Sequence, residues 1–117
     1  MAADQFACTA AVVEETPDAV VVSNLGVASY VLAEVGDRER NFYLWGSMGS
    51  TTATGVGVAH GTDEQVTVLA GDGSLTMSLG VCSTVATADQ SNLTVVGFAN
   101  GLYGTTGGPP TPSGAYA

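Results

Sequence analysis

Apolar positions along this 117-residue chain fall in blocks rather than in strict alternation. Residues 19–22 (AVVV), 66–70 (VTVLA) and 93–98 (LTVVGF) are short, nearly continuous runs rich in β-branched side chains. All three read as strands, and the continuous run 19–22 fits one buried in a parallel sheet. Residues 42–45 (FYLW) make a shorter fourth run, with Trp45 expected in the core at its end. Between the runs the spacing becomes helical. One helix is predicted over 2–16, stopped by Pro17, and a second over 25–35, with Ser23 and Asn24 as caps and Gly36 at its C-terminal end. A third grows out of the small-residue segment 46–61, and a fourth covers 75–89 after a sharp turn at 71–74. Strands alternating with helices predict an α/β fold, a mostly parallel sheet with flanking helices, and the length permits one domain over 1–117. Beyond Asn100 the chain turns to Gly, Pro and Thr. Residues 105–117 are expected to be flexible, to order on a partner, or to mark a chain that lacks a further helix and strand.

Charge changes the picture most. Eleven acidic residues face two arginines, Arg38 and Arg40, and there is no lysine, so the net charge is −9. Nucleic-acid affinity comes largely from Lys and Arg on phosphates, so nucleic acid is excluded as a partner, and an anionic membrane surface equally. No apolar run reaches the roughly 18–20 residues of a bilayer span. The N-terminal stretch lacks the basic region of a signal peptide, so a cytoplasmic protein is expected. An acidic, lysine-free surface suits a high-salt cytoplasm, where screening removes much self-repulsion, and predicts a halophilic source. Cys8 and Cys82 form no CxxC pair and are expected as two reduced core thiols.

Ligands of an open parallel sheet sit outside the carboxyl ends of its strands. Three runs end in polar, turn-forming segments: Gly46-Ser47-Met48-Gly49, Gly71-Asp72-Gly73-Ser74 and Asn100-Gly101-Leu102-Tyr103-Gly104. Gly73 and Ser74, like Gly49 and Ser50, open helices whose free N–H groups favour an anion. Yet this rim carries a carboxylate and no cationic side chain. A bare phosphate would be repelled, whereas a phosphate accompanied by Mg²⁺ would not, because that ion takes one or two protein oxygens together with phosphates and water. Asp72 offers a charged oxygen, Asn100 an amide oxygen, and a backbone carbonyl a third. Rival sites fail on the letters: 46–55 lacks the Gly-Lys-Ser/Thr of a phosphate-binding P-loop, and no GxGxxG follows a strand. His60, the lone histidine, is expected at a helix end away from the rim.

The pattern Gly71-Asp72-Gly73, then Asn100 and Tyr103-Gly104, resembles the signature of thiamine-diphosphate enzymes. Segments 21–26 (VVSNLG), 35–44 (VGDRERNFYL), 46–49 (GSMG), 71–80 (GDGSLTMSLG) and 100–110 (NGLYGTTGGPP) look like the cofactor-binding β subunits of sulfopyruvate decarboxylases, and phosphonopyruvate decarboxylases share much of this. The resemblance implies the diphosphate-binding (PP) fold. It implies that Asp72, Asn100 and the carbonyl of Leu102 bind Mg²⁺. Gly46, Ser47, Met48, Gly71, Gly73, Ser74 and Tyr103 would then contact thiamine diphosphate, with Met48 supporting its bent conformation. The implied activity is non-oxidative decarboxylation of a 2-oxo acid through the thiazolium C2. The glutamate that activates the pyrimidine is expected on a partner, an α-type pyrimidine-binding subunit, so the chain is expected to work as a hetero-oligomer and to be inactive alone. A cofactor-binding or assembly subunit without turnover stays open, as does the choice of 2-oxo acid. The family's usual Asn or Asp before the metal-binding Asn is Ala99 here, and Pro109 stands where a polar residue is usual.

Overall fold

The computed structural model describes residues 4–116. Helix α1 (Gln5–Glu15) is capped by Asp4, whose carboxylate accepts from the backbone N–H groups of Phe6 and Ala7 at 3.3 and 3.4 Å. It ends at Thr16, ahead of Pro17; residues 2–3 of the expected helix lie outside the described part. Strand β1 (Val20–Ser23) leads to α2 (Val27–Gly36), and β2 (Asn41–Tyr43) leads to α3 (Thr51–Gly61). Strand β3 (Val66–Gly71) runs into α4 (Asp72–Met77), which is followed by α5 (Val81–Ala88) and β4 (Leu93–Phe98). Two short 3₁₀ turns, Gly104–Thr106 and Pro112–Tyr116, complete the described residues.

All four strands are parallel, in the order β2-β1-β3-β4. Val20 to Ser23 pair with Val66 to Leu69, and β4 pairs with β3 along its full length, from Val66 opposite Leu93 to Gly71 opposite Phe98. The two central strands, β1 and β3, are buried on both faces, as their lack of alternation requires. The edge strands β2 and β4 are only partly covered, so the burial expected of the run 93–98 is not complete. On one face Val21 and Leu69 meet Leu32 of α2, with Val12 and Val13 of α1 packed against them. On the other, Val22, Val66, Val68 and Ala70 meet Ala59 of α3 and Leu44. The connection from β1 leaves toward β2 over the first face, and that from β3 leaves toward β4 over the second. The crevice between these diverging connections opens at the carboxyl ends of β1 and β3, the topological switch point at which such sheets bind ligands.

Several expectations need correction. Trp45 is 92% exposed rather than in the core, because the strand ends at Tyr43 and Leu44 takes the inward position, leaving Trp45 on the outward side. Ser23 belongs to β1 instead of capping α2; its hydroxyl lies 2.8 Å from that of Ser29, which donates to the carbonyl of Asn24 at 2.6 Å. The helix expected over 75–89 is two helices. The Ser78 N–H turns back to the Leu75 carbonyl at 3.3 Å, the tighter three-residue closure, and Ser78 and Gly80 are both weak helix formers. The first of the two begins at Asp72, so of the expected turn over 71–74 Gly71 still belongs to β3 and the rest is already helical. Cys82 is exposed on α5, which buries none of its residues, and only Cys8 is partly buried; both thiols are free.

Candidate active site

The switch-point crevice holds a cavity of about 210 Å³. Its wall brings together Met48, Gly71, Asp72, Gly73, Ser74, Asn100, Leu102 and Tyr103. Gly46 and Ser47 do not line it. They serve the loop that delivers Met48: Gly46, Ser47 and Gly49 all take left-handed backbone conformations (φ 82°, 54° and 91°), which reverse the chain between β2 and α3. The two helix-opening segments are tied together, since Gly49 N–H donates to Ser74 Oγ at 2.9 Å.

Asp72 is 7% exposed, at the first position of α4 and immediately after the central strand β3. Its Oδ2 accepts from Thr111 Oγ1 at 2.7 Å, Ser113 Oγ at 2.5 Å and Gly101 N–H at 3.2 Å. Burial pushes the carboxyl upward, but the bonds from Ser113 and Thr111 and the backbone N–H groups of Gly73 and Asp72 outweigh it, holding the group below its ordinary value of 3.8. A carboxyl depressed by folding stabilises the native state above its unfolded value and loses that contribution as pH falls through the folded one. The stability gap between the native chain and Asp72→Asn is therefore expected to be wide near about pH 6 and to shrink by about pH 3. Urea unfolding at both pH values checks this, and a gap that does not shrink would show that the donors do not favour the ionised form.

Asn100 Oδ1 accepts from Leu102 N–H at 3.0 Å, a local turn that fixes the amide oxygen at the start of the loop. Tyr103 is anchored through its N–H to the Pro109 carbonyl at 2.8 Å, and its ring lies against Gly73 so closely that a Cβ there would sit 2.5 Å from the ring. Both cations are remote. Arg38 binds the Pro17 and Ala19 carbonyls, and Arg40 pairs with Glu64 at 2.9 Å, at the amino ends of the strands. Among the described residues Asp72 is the single charged one of the cavity wall. No cluster of three or more His, Cys, Asp or Glu exists among the described residues, so any ion here draws on one carboxylate and neutral oxygens. That donor set fits a divalent ion already carrying phosphate. His60 is exposed at the end of α3, away from this rim. No helix is long and apolar enough to cross a membrane among the described residues.

Sequence reasoning missed three contributors. Asn24 lines the cavity and accepts from Thr51 Oγ1 at 2.9 Å. Its position after β1, across the switch point from Asp72, was the available signal. Thr111 and Ser113 gave none, since they lie 39 and 41 positions from the carboxylate they bind.

Comparison with known proteins agrees with this geometry. Residues 9–117 match the family model of the thiamine pyrophosphate enzyme C-terminal TPP-binding domain. The chain is 43% identical over 95 residues to the sulfopyruvate decarboxylase subunit beta of Methanocaldococcus jannaschii, covering 81% of this chain and 50% of that one. Against the corresponding subunit of Methanococcus maripaludis it is 37% identical over 100 residues, covering 86% and 54%. It is also 43% identical over 98 residues to a phosphonopyruvate decarboxylase of Streptomyces viridochromogenes, covering 84% of this chain and 25% of that one. The chain thus spans about half the length of the β subunits it matches. A parallel sheet with its cavity at the switch point, the motif set on that rim and the match across nearly all of its length together show that this chain belongs to the thiamine pyrophosphate enzymes, as their C-terminal cofactor-binding domain.

Proposed function

We propose that this chain is the thiamine-diphosphate- and Mg²⁺-binding part of a non-oxidative 2-oxo acid decarboxylase, most like sulfopyruvate decarboxylase, working with a pyrimidine-binding partner. The observation that carries this reading is the cavity wall itself: one carboxylate, the neutral amides of Gln5, Asn24 and Asn100, and no cation, at the carboxyl ends of β1 and β3. Asp72, Asn100 and the Leu102 carbonyl would hold the ion. Gly71, Gly73 and Ser74 would take the diphosphate, Met48 and Tyr103 would flank the rings, and Gly46 and Ser47 would shape the loop. Bound there, thiamine diphosphate supplies the electron sink that lets a 2-oxo acid lose CO₂. The chain's own residues bind and orient the diphosphate end and exclude water with Met48, Phe98 and Leu102, which also line the cavity.

Two facts support a partner. About 210 Å³ is below the roughly 300–1,000 Å³ of a complete small-molecule site, as expected of half a site. A sulfonate or phosphonate on the substrate calls for cationic groups, and this wall has none, so that recognition belongs to the other subunit. With Mg²⁺, thiamine diphosphate and sulfopyruvate, the lone chain is expected to release no CO₂, and the mixture with a pyrimidine-binding subunit to do so. Turnover by the lone chain would overturn the shared site. Silence in both arms, with the cofactor bound, would favour a subunit without catalysis.

A further inference from the structure

We propose that Thr111 and Ser113 are positioning residues for the divalent ion, fixing the Asp72 carboxylate so that its other oxygen, Oδ1, is left for the metal. This rests on the reading that Asp72 binds the ion. Three donors converge on Oδ2: Thr111 Oγ1 at 2.7 Å, Ser113 Oγ at 2.5 Å and the Gly101 N–H at 3.2 Å. The terminal torsion of an aspartate is broad and roughly two-fold, so a lone carboxylate would not hold one orientation. Donors gathered on one oxygen select it. The hydroxyls lie 2.9 Å from each other, and with one proton each they point at the carboxylate, the charge-assisted choice.

The donors are themselves fixed by a small antiparallel closure. Thr111 N–H donates to the Gly101 carbonyl and Tyr103 N–H to the Pro109 carbonyl, both at 2.8 Å, with Leu102 bridged to Pro110. Gly101 and Thr111 therefore reach the same oxygen from opposite arms of one loop. That loop carries Leu102, so the two hydroxyls also set the Leu102 carbonyl in register with Asp72. Neither Thr111 nor Ser113 lines the cavity. They stand behind the carboxylate; Thr111 also has its methyl group close to Gly73, a contact that Thr111→Val keeps.

The test uses the full chain with thiamine diphosphate and Mn²⁺ as a paramagnetic probe, its binding followed by electron paramagnetic resonance, with circular dichroism to verify folding. Thr111→Val keeps the side-chain shape and Ser113→Ala removes one atom. Each, and their combination most of all, is expected to weaken Mn²⁺ binding by about 10–100-fold, the usual cost of losing an outer-shell partner. Thr111→Ser, which restores a hydroxyl, is expected to bring most of it back. A double variant that binds Mn²⁺ like the native chain, while Asp72→Ala does not, would overturn the inference and leave the metal assignment standing. A loss that Thr111→Ser does not restore would overturn it as well. Native-like Mn²⁺ binding by Asp72→Ala would instead remove the metal assignment on which it rests.

Discussion

Asp72→Ala is expected to abolish the Mg²⁺ dependence of thiamine diphosphate binding, at a cost greater than the roughly 10–100-fold of losing an outer-shell partner. The reasoning is electrostatic. The cavity wall has no cation to meet a diphosphate, and its single charge, Asp72, has the wrong sign for one. Attraction must then come from an ion bridging protein and phosphate oxygens, and with the carboxylate gone only neutral oxygens remain to hold that ion. The same substitution removes a charge that repels the diphosphate, so binding without metal should hold steady or tighten slightly. The two titration curves, with and without Mg²⁺, should therefore converge in the variant and stay far apart in the native chain. Calorimetric titration in both conditions decides the matter. A variant retaining the native gap between the curves would mean that the ion, if it binds, binds elsewhere.

For stability, Leu69→Ala is expected to cost about 2–5 kcal/mol, the range for truncating a large aliphatic side chain in a packed core. Leu69 is wholly buried in the central strand, against Val21 and Leu32, with Val96 and Phe98 close by. Against a total of about 5–15 kcal/mol for a domain of ordinary stability, this is a large fraction. It corresponds to a fall in Tm of roughly 10–20 °C at this size. Trp45→Ala is the control: a larger side chain, but 92% exposed, and expected to stay within about 0.5 kcal/mol. Thermal unfolding of both variants compares them directly. Equal losses would contradict the placement of Trp45 outside the core.

What the letters disclosed and what they hid divide along the range of the interactions. The run 93–98 became β4 with the same bounds, because a block of β-branched residues between polar neighbours has few other stable outcomes. The rim residues were legible for a related reason: a residue that ends a strand is displayed at the sheet's edge whatever the rest of the chain does. Trp45 shows the limit of that reasoning. Aromatic bulk suggested burial, but β2 ends two residues earlier than the run does, at Tyr43, which left the side chain outward, and only tertiary packing fixes that end. The break at Ser78 was hidden because 75–89 keeps a helical apolar spacing on both sides of it. Thr111 and Ser113 were invisible for a stronger reason, since no local pattern marks a hydroxyl bound to a carboxylate dozens of positions earlier.

One junction constrains how this site can change. Strand β3 ends at Gly71 and α4 begins at Asp72, with no residue between them. Inserting or deleting a single amino acid there would rotate every following helical side chain by about 100°, carrying the carboxylate out of the crevice altogether. The seam therefore tolerates substitution more readily than any change of length.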